Sequence, residues 1–175
     1  MTVPEIFRNW YEQEADGDQK ILSMLESVPA ERQDSEEYRR ALNLATHLVA
    51  CRKNWLARIR ARPEEAGDWW PTTDSLSDLR ERMMVLEAHW TEYFAGLTPE
   101  EFNRDFEYEL SDGKRYRWNV GSQLMQLVGH AFYHRGQIAI LVDMLDGKMV
   151  DTDYLYWVAT KDPRYGRLKD KEPVL

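Results

Sequence analysis

Two of the four histidines in this 175-residue chain, His130 and His134, are spaced so that they could bind one metal ion. Four residues along an α-helix turn the chain by about 40° and advance it by about 6 Å, so both imidazole rings point to the same side. Helices bring such pairs together often, and the spacing alone is a modest signal. His134 also falls on an apolar stripe with Ala131 and Ile138, and His130 lies at its edge.

A third histidine, His47, occupies a similar position in another predicted helix, where Leu44, Leu48 and Cys51 share its face. Three imidazoles near a dry core each need a hydrogen-bond partner or a metal ion, because an unpaired buried polar group costs about 1–3 kcal/mol. One shared divalent ion would satisfy all three rings. Three separate core histidines, each hydrogen-bonded to a carbonyl or a carboxylate, are the alternative.

Four long segments with helical periodicity must position these residues. They cover about residues 4–28, 35–60, 75–97 and 121–145, and a shorter helix is predicted at 151–160. The first segment contains Asp16-Gly17-Asp18, where a bend or break is possible because glycine costs about 1 kcal/mol in a helix. The last long segment is predicted to stop at Gly147, because glycine commonly follows the end of a helix.

Between the third and fourth segments, residues 106–110 and 116–120 alternate with period two around Asp112-Gly113, a strong hairpin-turn dipeptide. The preceding Thr98-Pro99-Glu100-Glu101 is typical of a capped helical turn, in which Glu101 reaches back to Thr98. The sequence therefore predicts an all-α protein, an antiparallel four-helix bundle with a small β-hairpin or extended crossover between helices 3 and 4. We expect one domain over residues 1–160 and a charged C-terminal tail over 161–175.

Composition narrows the class of function. With 23 Lys and Arg against 31 Asp and Glu, the formal charge of −8 disfavours nucleic acid and anionic membrane surfaces as partners. The basic residues between Arg52 and Arg62 are interpreted as solvated helix flanks. No signal peptide and no apolar run of about 20 residues is visible. The single cysteine, Cys51, excludes an internal disulfide and a cysteine-based zinc knuckle, which makes a reducing cytoplasm the expected location.

The motif His130-x3-His134-Arg135-Gly136-Gln137, within HAFYHRGQI, and His47, within THLVACRKNWL, resemble the signature of the DinB/YfiT-like superfamily. The order of elements agrees over nearly the whole chain, including the Leu-Thr-Pro-Glu-Glu turn before the hairpin. The resemblance implies a four-helix bundle, often a homodimer, that binds one divalent transition metal such as zinc or nickel through the three histidines. Some members are similar to thiol-dependent transferases and isomerases that use low-molecular-weight thiols, and many are called damage-inducible.

Three histidine ligands would leave a zinc-like ion with one open coordination position, whereas structural zinc sites are closed by four protein ligands. The ion could activate water or hold a thiol deprotonated, so hydrolysis and thiol S-transfer of a small-molecule substrate are both open. No motif such as HExxH supplies a general base, which leaves a non-catalytic, metal-binding stress-response protein as the alternative. A helical module that dimerises through apolar faces is a third hypothesis, and exposed Trp69, Trp70 or Trp157 would favour it.

The sequence allows more than one role for several neighbouring residues. Arg135 points away from His134 and could bind either a substrate or a carboxylate on another helix, and Gln137 could orient a ligand or close a polar network. Cys51 lies one turn after His47 and is interpreted as a small core residue that could approach the site. The remaining interpretations are Trp55 as core or pocket wall, His89 as a surface flank residue, and Gly136 as a helix-packing position.

Overall fold

The computed structural model describes residues 2–73, 75–110, 112–162 and 164–165, and in this part the chain is mostly helical. The long helices are α1 (Val3–Glu26), α2 (Glu36–Ile59), α3 (Leu76–Ala95) and α5 (Val120–Met144). Two shorter helices, α4 (Pro99–Phe102) and α6 (Tyr154–Lys161), two strands, β1 (Asp105–Glu109) and β2 (Arg115–Asn119), and two 3-10 turns at Ala30–Arg32 and Pro63–Glu65 complete the described elements. The predicted segments are confirmed to within a few residues at each end.

One apolar core lies between the four long helices. Helix α2 packs against α5 and α3, and α1 packs against the same two helices. Each helix contributes the stripe that its periodicity predicted, with Leu22 and Leu25 from α1, Leu86 and Trp90 from α3, and Ile138 from α5 all at most 4% exposed. The site-bearing helices α2 and α5 are thus held side by side by burial of their own apolar faces.

Helix α1 passes through Asp16-Gly17-Asp18 without a break. A β-carbon at Gly17 would come within 2.5 Å of Nη1 of Arg135, a residue of α5 that is 1% exposed. The glycine therefore permits a close approach between α1 and the Arg135 guanidinium. That contact explains why a residue with poor helix propensity occurs in mid-helix.

The hairpin between α4 and α5 is confirmed. Strands β1 and β2 are antiparallel, with Asp105 opposite Asn119 and Glu109 opposite Arg115, and Gly113 in the turn has a φ of 78°. Val120, predicted to end the second strand, is instead the first residue of α5. Asn119 acts as the N-cap, since its side-chain oxygen accepts a hydrogen bond from the Ser122 N–H at 3.1 Å.

Two details of the helix ends differ from the prediction. Helix α5 ends at Met144, and the residue with positive φ is Asp146 (61°), not Gly147. Gly147 is needed for a close approach, because a β-carbon there would lie 2.5 Å from Cγ1 of Val142. In the turn at Thr98 the Glu101 N–H does bond to the threonine hydroxyl, but the Glu101 carboxylate binds Arg104 and Tyr93 instead of reaching back.

The interpretation of Arg52 as a solvated flank residue is wrong. Its side chain is 5% exposed, and its Nη2 donates to both carboxylate oxygens of Asp18 at 2.7 and 2.8 Å. A buried guanidinium is tolerated because it is paired with a buried carboxylate. Arg58 in the same run is partly buried, with its guanidinium 4.2–4.7 Å from the ring centroids of Trp55, Trp69 and Tyr108.

None of the described helices is both long and apolar enough to cross a membrane. Most of the predicted charged tail, from position 166 onwards together with Pro163, lies outside the described residues. The single-domain boundary at residue 160 stays a prediction.

Candidate metal centre

Helices α2 and α5 bring the three predicted histidines together. His47 of α2 is 5% exposed and His134 of α5 is 7% exposed, while His130 of α5 is partly buried. One ring nitrogen from each histidine lies within 4.8 Å of the other two. Residues that are far apart in the chain, at positions 47 and 130, thus meet in one cluster, which the family resemblance implied and which was one of the two arrangements that the helical stripes left open.

Hydrogen bonds fix which nitrogen two of these rings present to the cluster. The Nδ1–H of His47 donates to the carbonyl oxygen of Trp69 at 2.6 Å, and the Nδ1–H of His134 donates to the amide oxygen of Gln137 at 2.7 Å. An oxygen of this kind only accepts, so the proton of each neutral ring is on Nδ1. In this tautomer each Nε2 is unprotonated and is the nitrogen that can bind a metal, as in most histidine metal ligands with an outer hydrogen-bond partner.

The donor set fits a zinc-like ion. Nε2 of His130 and Nε2 of His134 are 3.1 Å apart, close to the roughly 3.3 Å separation expected for two imidazole nitrogens bound tetrahedrally at about 2.0–2.1 Å from zinc. Burial lowers the pKa of His130 to about 4, with further lowering by His134 and His47, and burial also lowers the pKa of His47. Both rings are therefore neutral at pH 7, which is the form that binds metals.

An aromatic ring covers one side of the cluster. The indole of Trp70 stacks on His47 with ring centroids 3.5 Å apart and an angle of 4° between the planes. Trp70 is 56% exposed, and together with His134, Tyr133 and Arg40 it lines a surface pocket of about 650 Å³. A small molecule could approach the cluster through this pocket.

A comparison with protein-family models gives a match to the DinB family over residues 2–164. The chain belongs to the DinB family. Comparisons with curated proteins and with solved structures gave no match. In this DinB-family protein the matched range contains α2 and α5, the two helices that carry the histidine cluster.

Two residues of the family-like motif have structural partners. Arg135 binds a carboxylate on another helix, the second of the two predicted possibilities, with its Nη2 3.0 Å from Oε1 of the buried Glu14. Gln137 orients His134 through the hydrogen bond described above. Gly136 is exposed, and a β-carbon added there would have no neighbour within 4 Å, so the predicted packing role is wrong for the single chain.

Cys51 is buried, as predicted, and its Sγ lies 3.3 Å from Nε2 of His47. The group of mutually close ligand atoms nevertheless contains only the three histidines among the residues that the structure describes. Burial raises the pKa of the Cys51 thiol to about 12, which keeps it protonated at neutral pH. Cys51 is therefore a thiol that packs beside a candidate ligand.

Three other residues singled out from the sequence, His89, Trp55 and Trp157, are not part of the histidine group. His89 is exposed, as expected, and Trp55 is partly buried against the core, where it contacts Trp69 and Tyr108. Trp157 is 6% exposed, so it offers no partner surface. Trp70 is exposed, but its stacking on His47 explains its position without a partner protein.

Sequence reasoning missed the contribution of the loop that follows α2. The backbone of Trp69 and the ring of Trp70 both touch His47, although these residues show no periodicity. The one signal in the sequence was the Trp-Trp pair itself, in a segment rich in proline and glycine. A pair of large aromatic residues in such a loop needs a surface to pack on, and here that surface is α2 and its histidine.

Proposed function

We propose that this DinB-family protein binds one divalent transition metal, zinc or nickel, through His47, His130 and His134, and uses it in thiol S-transfer or hydrolysis. The observation that carries the proposal is the convergence of three imidazoles, with no carboxylate or thiolate in the same group among the described residues. Such a donor set leaves a coordination position open for a substrate. We also propose that the four long helices of this chain form the antiparallel bundle that the family resemblance implied.

Thiol S-transfer is the reaction that this arrangement supports best. When bound, the ion would keep a thiol deprotonated or lower the pKa of water. In S-transfer the sulfur of a low-molecular-weight thiol forms a C–S bond with an electrophilic carbon, the leaving group departs with its electron pair, and the thiol proton goes to solvent. This chemistry needs no carboxylate base at the cluster, whereas hydrolysis commonly uses one.

Metal analysis of the purified protein tests the binding site. We expect about one zinc or nickel ion per chain in the native protein, and much less in His47→Ala, His130→Ala and His134→Ala, because two imidazoles hold the ion more weakly than three. His89→Ala is the matched control, since His89 is exposed and away from the cluster. Native protein without metal, or unchanged metal content in all three variants, would refute the site.

Turnover measurements test the reaction. The metal-loaded protein is assayed with small thiols and electrophilic acceptors, and in parallel with ester and amide substrates. Conjugation that requires both the metal and His134 would support thiol S-transfer, and hydrolysis without conjugation would select the second reaction. Inactivity in both assays by a protein that binds metal would favour a different class of function.

That second class is a non-catalytic, metal-binding stress-response protein. Its supporting observation is the absence of an acidic side chain from the histidine group within the described part of the chain. The pocket of about 650 Å³ beside His134 argues against it, because a site that only stores an ion needs no adjoining space for a small molecule. Metal-dependent turnover would eliminate this alternative.

We further propose a homodimer, as the resemblance to the family suggested. Its support is an exposed apolar stripe on α5 formed by Met125, Tyr133, Ile140 and Met144, each more than half exposed. These residues repeat at intervals of eight, seven and four, so they share one helix face. Light scattering on purified protein would give a mass near 42 kDa if two chains of 20.8 kDa associate, and Ile140→Glu should give a monomer.

A cytoplasmic location without nucleic-acid or membrane partners is also part of the proposal. It is supported by the single cysteine and by the formal charge of −8. Fractionation of cells that express the tagged protein tests the location, and binding assays with duplex DNA and anionic vesicles test the excluded partners.

A further inference from the structure

The loop between α2 and α3 forms an outer support for the candidate metal centre. Its Trp69 carbonyl accepts the Nδ1–H of His47 at 2.6 Å, and its Trp70 ring covers the same imidazole at 3.5 Å. The position and the protonated nitrogen of His47 therefore depend on where this loop lies. A side chain that holds this loop in place would therefore also affect the metal centre.

Asn54 attaches the loop to α2. Its side chain is 1% exposed, and its Nδ2 donates to the carbonyl oxygens of Gly67 at 3.0 Å and Asp68 at 3.3 Å. Its Oδ1 accepts the Gly67 N–H at 2.8 Å. Asn54 follows His47 by seven residues, or two helical turns, so both side chains leave the same face of α2 and reach the same loop.

We propose that Asn54 is a positioning residue for the metal centre: by binding the backbone at Gly67 and Asp68 it holds the Trp69 carbonyl on His47. The inference rests on the metal site proposed above. The hydrogen bond from Nδ1 keeps the proton of His47 on that nitrogen and leaves Nε2 free for the ion. Asn54 does not touch the ion or a substrate, and it acts only through the loop.

A second contact anchors a different part of the loop. The Arg58 guanidinium lies 4.6 Å from the ring centroid of Trp69 and 4.7 Å from that of Trp55. This stacking holds the Trp69 side chain but places no hydrogen bond on its carbonyl. Within the loop the Asp68 carboxylate accepts the Trp70 N–H at 3.0 Å. The three bonds of Asn54 are made one and two residues before Trp69, so they tie the backbone leading to the carbonyl to α2.

The test compares Asn54→Ala with Gln13→Ala as a matched control. Gln13 is also a buried amide, 1% exposed, and its Nε2 donates to the carbonyl of Thr152 at 3.1 Å, in a segment far from the histidines. Both variants lose an amide that ties a loop carbonyl to a helix. Zinc affinity is measured by competition with a chromophoric chelator, and long-range ¹H–¹⁵N spectra show which His47 nitrogen carries the proton, with and without zinc.

We expect Asn54→Ala to weaken zinc binding by about tenfold to a hundredfold, the range found when outer partners of metal-binding histidines are removed. Its metal-free spectrum should show His47 with the proton shared between both nitrogens. Gln13→Ala should keep the wild-type zinc affinity and the Nδ1–H signal. Asn54→Gln keeps the amide but moves it by one methylene group, so it should be intermediate, and it decides the question if the alanine variant does not fold.

Unchanged zinc affinity and an unchanged Nδ1–H signal in both Asn54 variants would overturn the inference. An equal loss of affinity in Gln13→Ala would also overturn it, because the effect would then follow from general destabilisation. Failure of the metal site itself is distinguishable: the wild-type protein would bind no zinc, while the spectra of the metal-free proteins would still show whether Asn54 controls the His47 tautomer.

Discussion

Replacing Arg135 by methionine should destabilise the protein and leave its metal affinity nearly unchanged. Arg135 is 1% exposed, Glu14 is 6% exposed, and the two side chains form a buried ion pair at 3.0 Å. Arg135→Met fills much of the same volume but leaves the Glu14 carboxylate in the core without its partner. Removal of one member of a buried pair costs about 3–5 kcal/mol in the free energy of unfolding.

The size of this loss depends on pH. Burial raises the pKa of Glu14, and Arg135 opposes that shift, so the pKa rises further when Arg135 is removed. Between the unfolded and the folded pKa the native variant binds a proton that the unfolded chain does not, and its free energy of unfolding rises as the pH falls. The deficit should be largest near pH 8 and shrink by up to about 1.4 kcal/mol per pH unit until Glu14 is protonated.

Urea unfolding of metal-free protein, followed by circular dichroism, measures the effect at about pH 8 and about pH 5.5. Taking the difference between wild type and variant cancels the histidine contributions that both share. The double variant Glu14→Gln with Arg135→Met removes both charges and should recover most of the lost stability. Zinc affinity per folded chain should stay within about threefold of wild type.

A loss below about 1 kcal/mol at pH 8 would refute the argument, as would a double variant no more stable than Arg135→Met. A stable Arg135→Met protein that loses turnover would show that Arg135 acts on the substrate. The structural and the substrate-binding interpretations of this residue thus give opposite results.

Three further changes test other parts of the structure. Gln137→Leu removes the acceptor for the Nδ1–H of His134, so zinc affinity in the chelator competition should fall about tenfold to a hundredfold, whereas Gln126→Leu on the same helix should not change it. Cys51, with a pKa of about 12 and 5% exposure, should resist alkylation by iodoacetamide at pH 8 until urea unfolds the protein. At that pH only about one thiol in ten thousand is ionised. Rapid labelling of the native protein would contradict this prediction. Gly17→Ala should lower the melting temperature despite the better helix propensity of alanine, because its β-carbon would meet the Arg135 guanidinium. A higher melting temperature would show that the guanidinium can move away.

The helices and the inward direction of the histidines could be predicted from helical periodicity, whereas the meeting of the three histidines in one cluster was expected mainly from the resemblance to the DinB/YfiT-like signature. Burial of an apolar stripe fixes which way a helix faces, and a histidine on that stripe turns inward with it, as His47 and His134 do. The partners of these histidines were less predictable. Gln137 was a candidate because it lies one turn from His134, but the Trp69 carbonyl belongs to a loop whose path depends on tertiary contacts.

Buried charges were predicted only in part, since a carboxylate partner was one of two possibilities for Arg135 and the burial of Arg52 was not expected. Periodicity places arginine outside, yet Arg52 and Arg135 are both in the core because Asp18 and Glu14 reach them from α1. Such pairing joins residues that are distant in the chain, so the local periodicity of either helix does not reveal it. The close approach at Gly17 has the same origin, since only the position of the Arg135 guanidinium explains a glycine in mid-helix.

The placement of the three histidines on α2 and α5 would give a bound ion a mechanical role as well as the proposed chemical one. His47 and His130 are separated by 83 positions in the chain, so an ion held by both would close a large loop and act as a reversible cross-link. Any species that binds the folded chain alone raises its stability in proportion to the logarithm of its concentration. If the proposed site binds zinc, the melting temperature of this protein should therefore rise with the zinc concentration, and removal of the metal should increase its susceptibility to proteolysis.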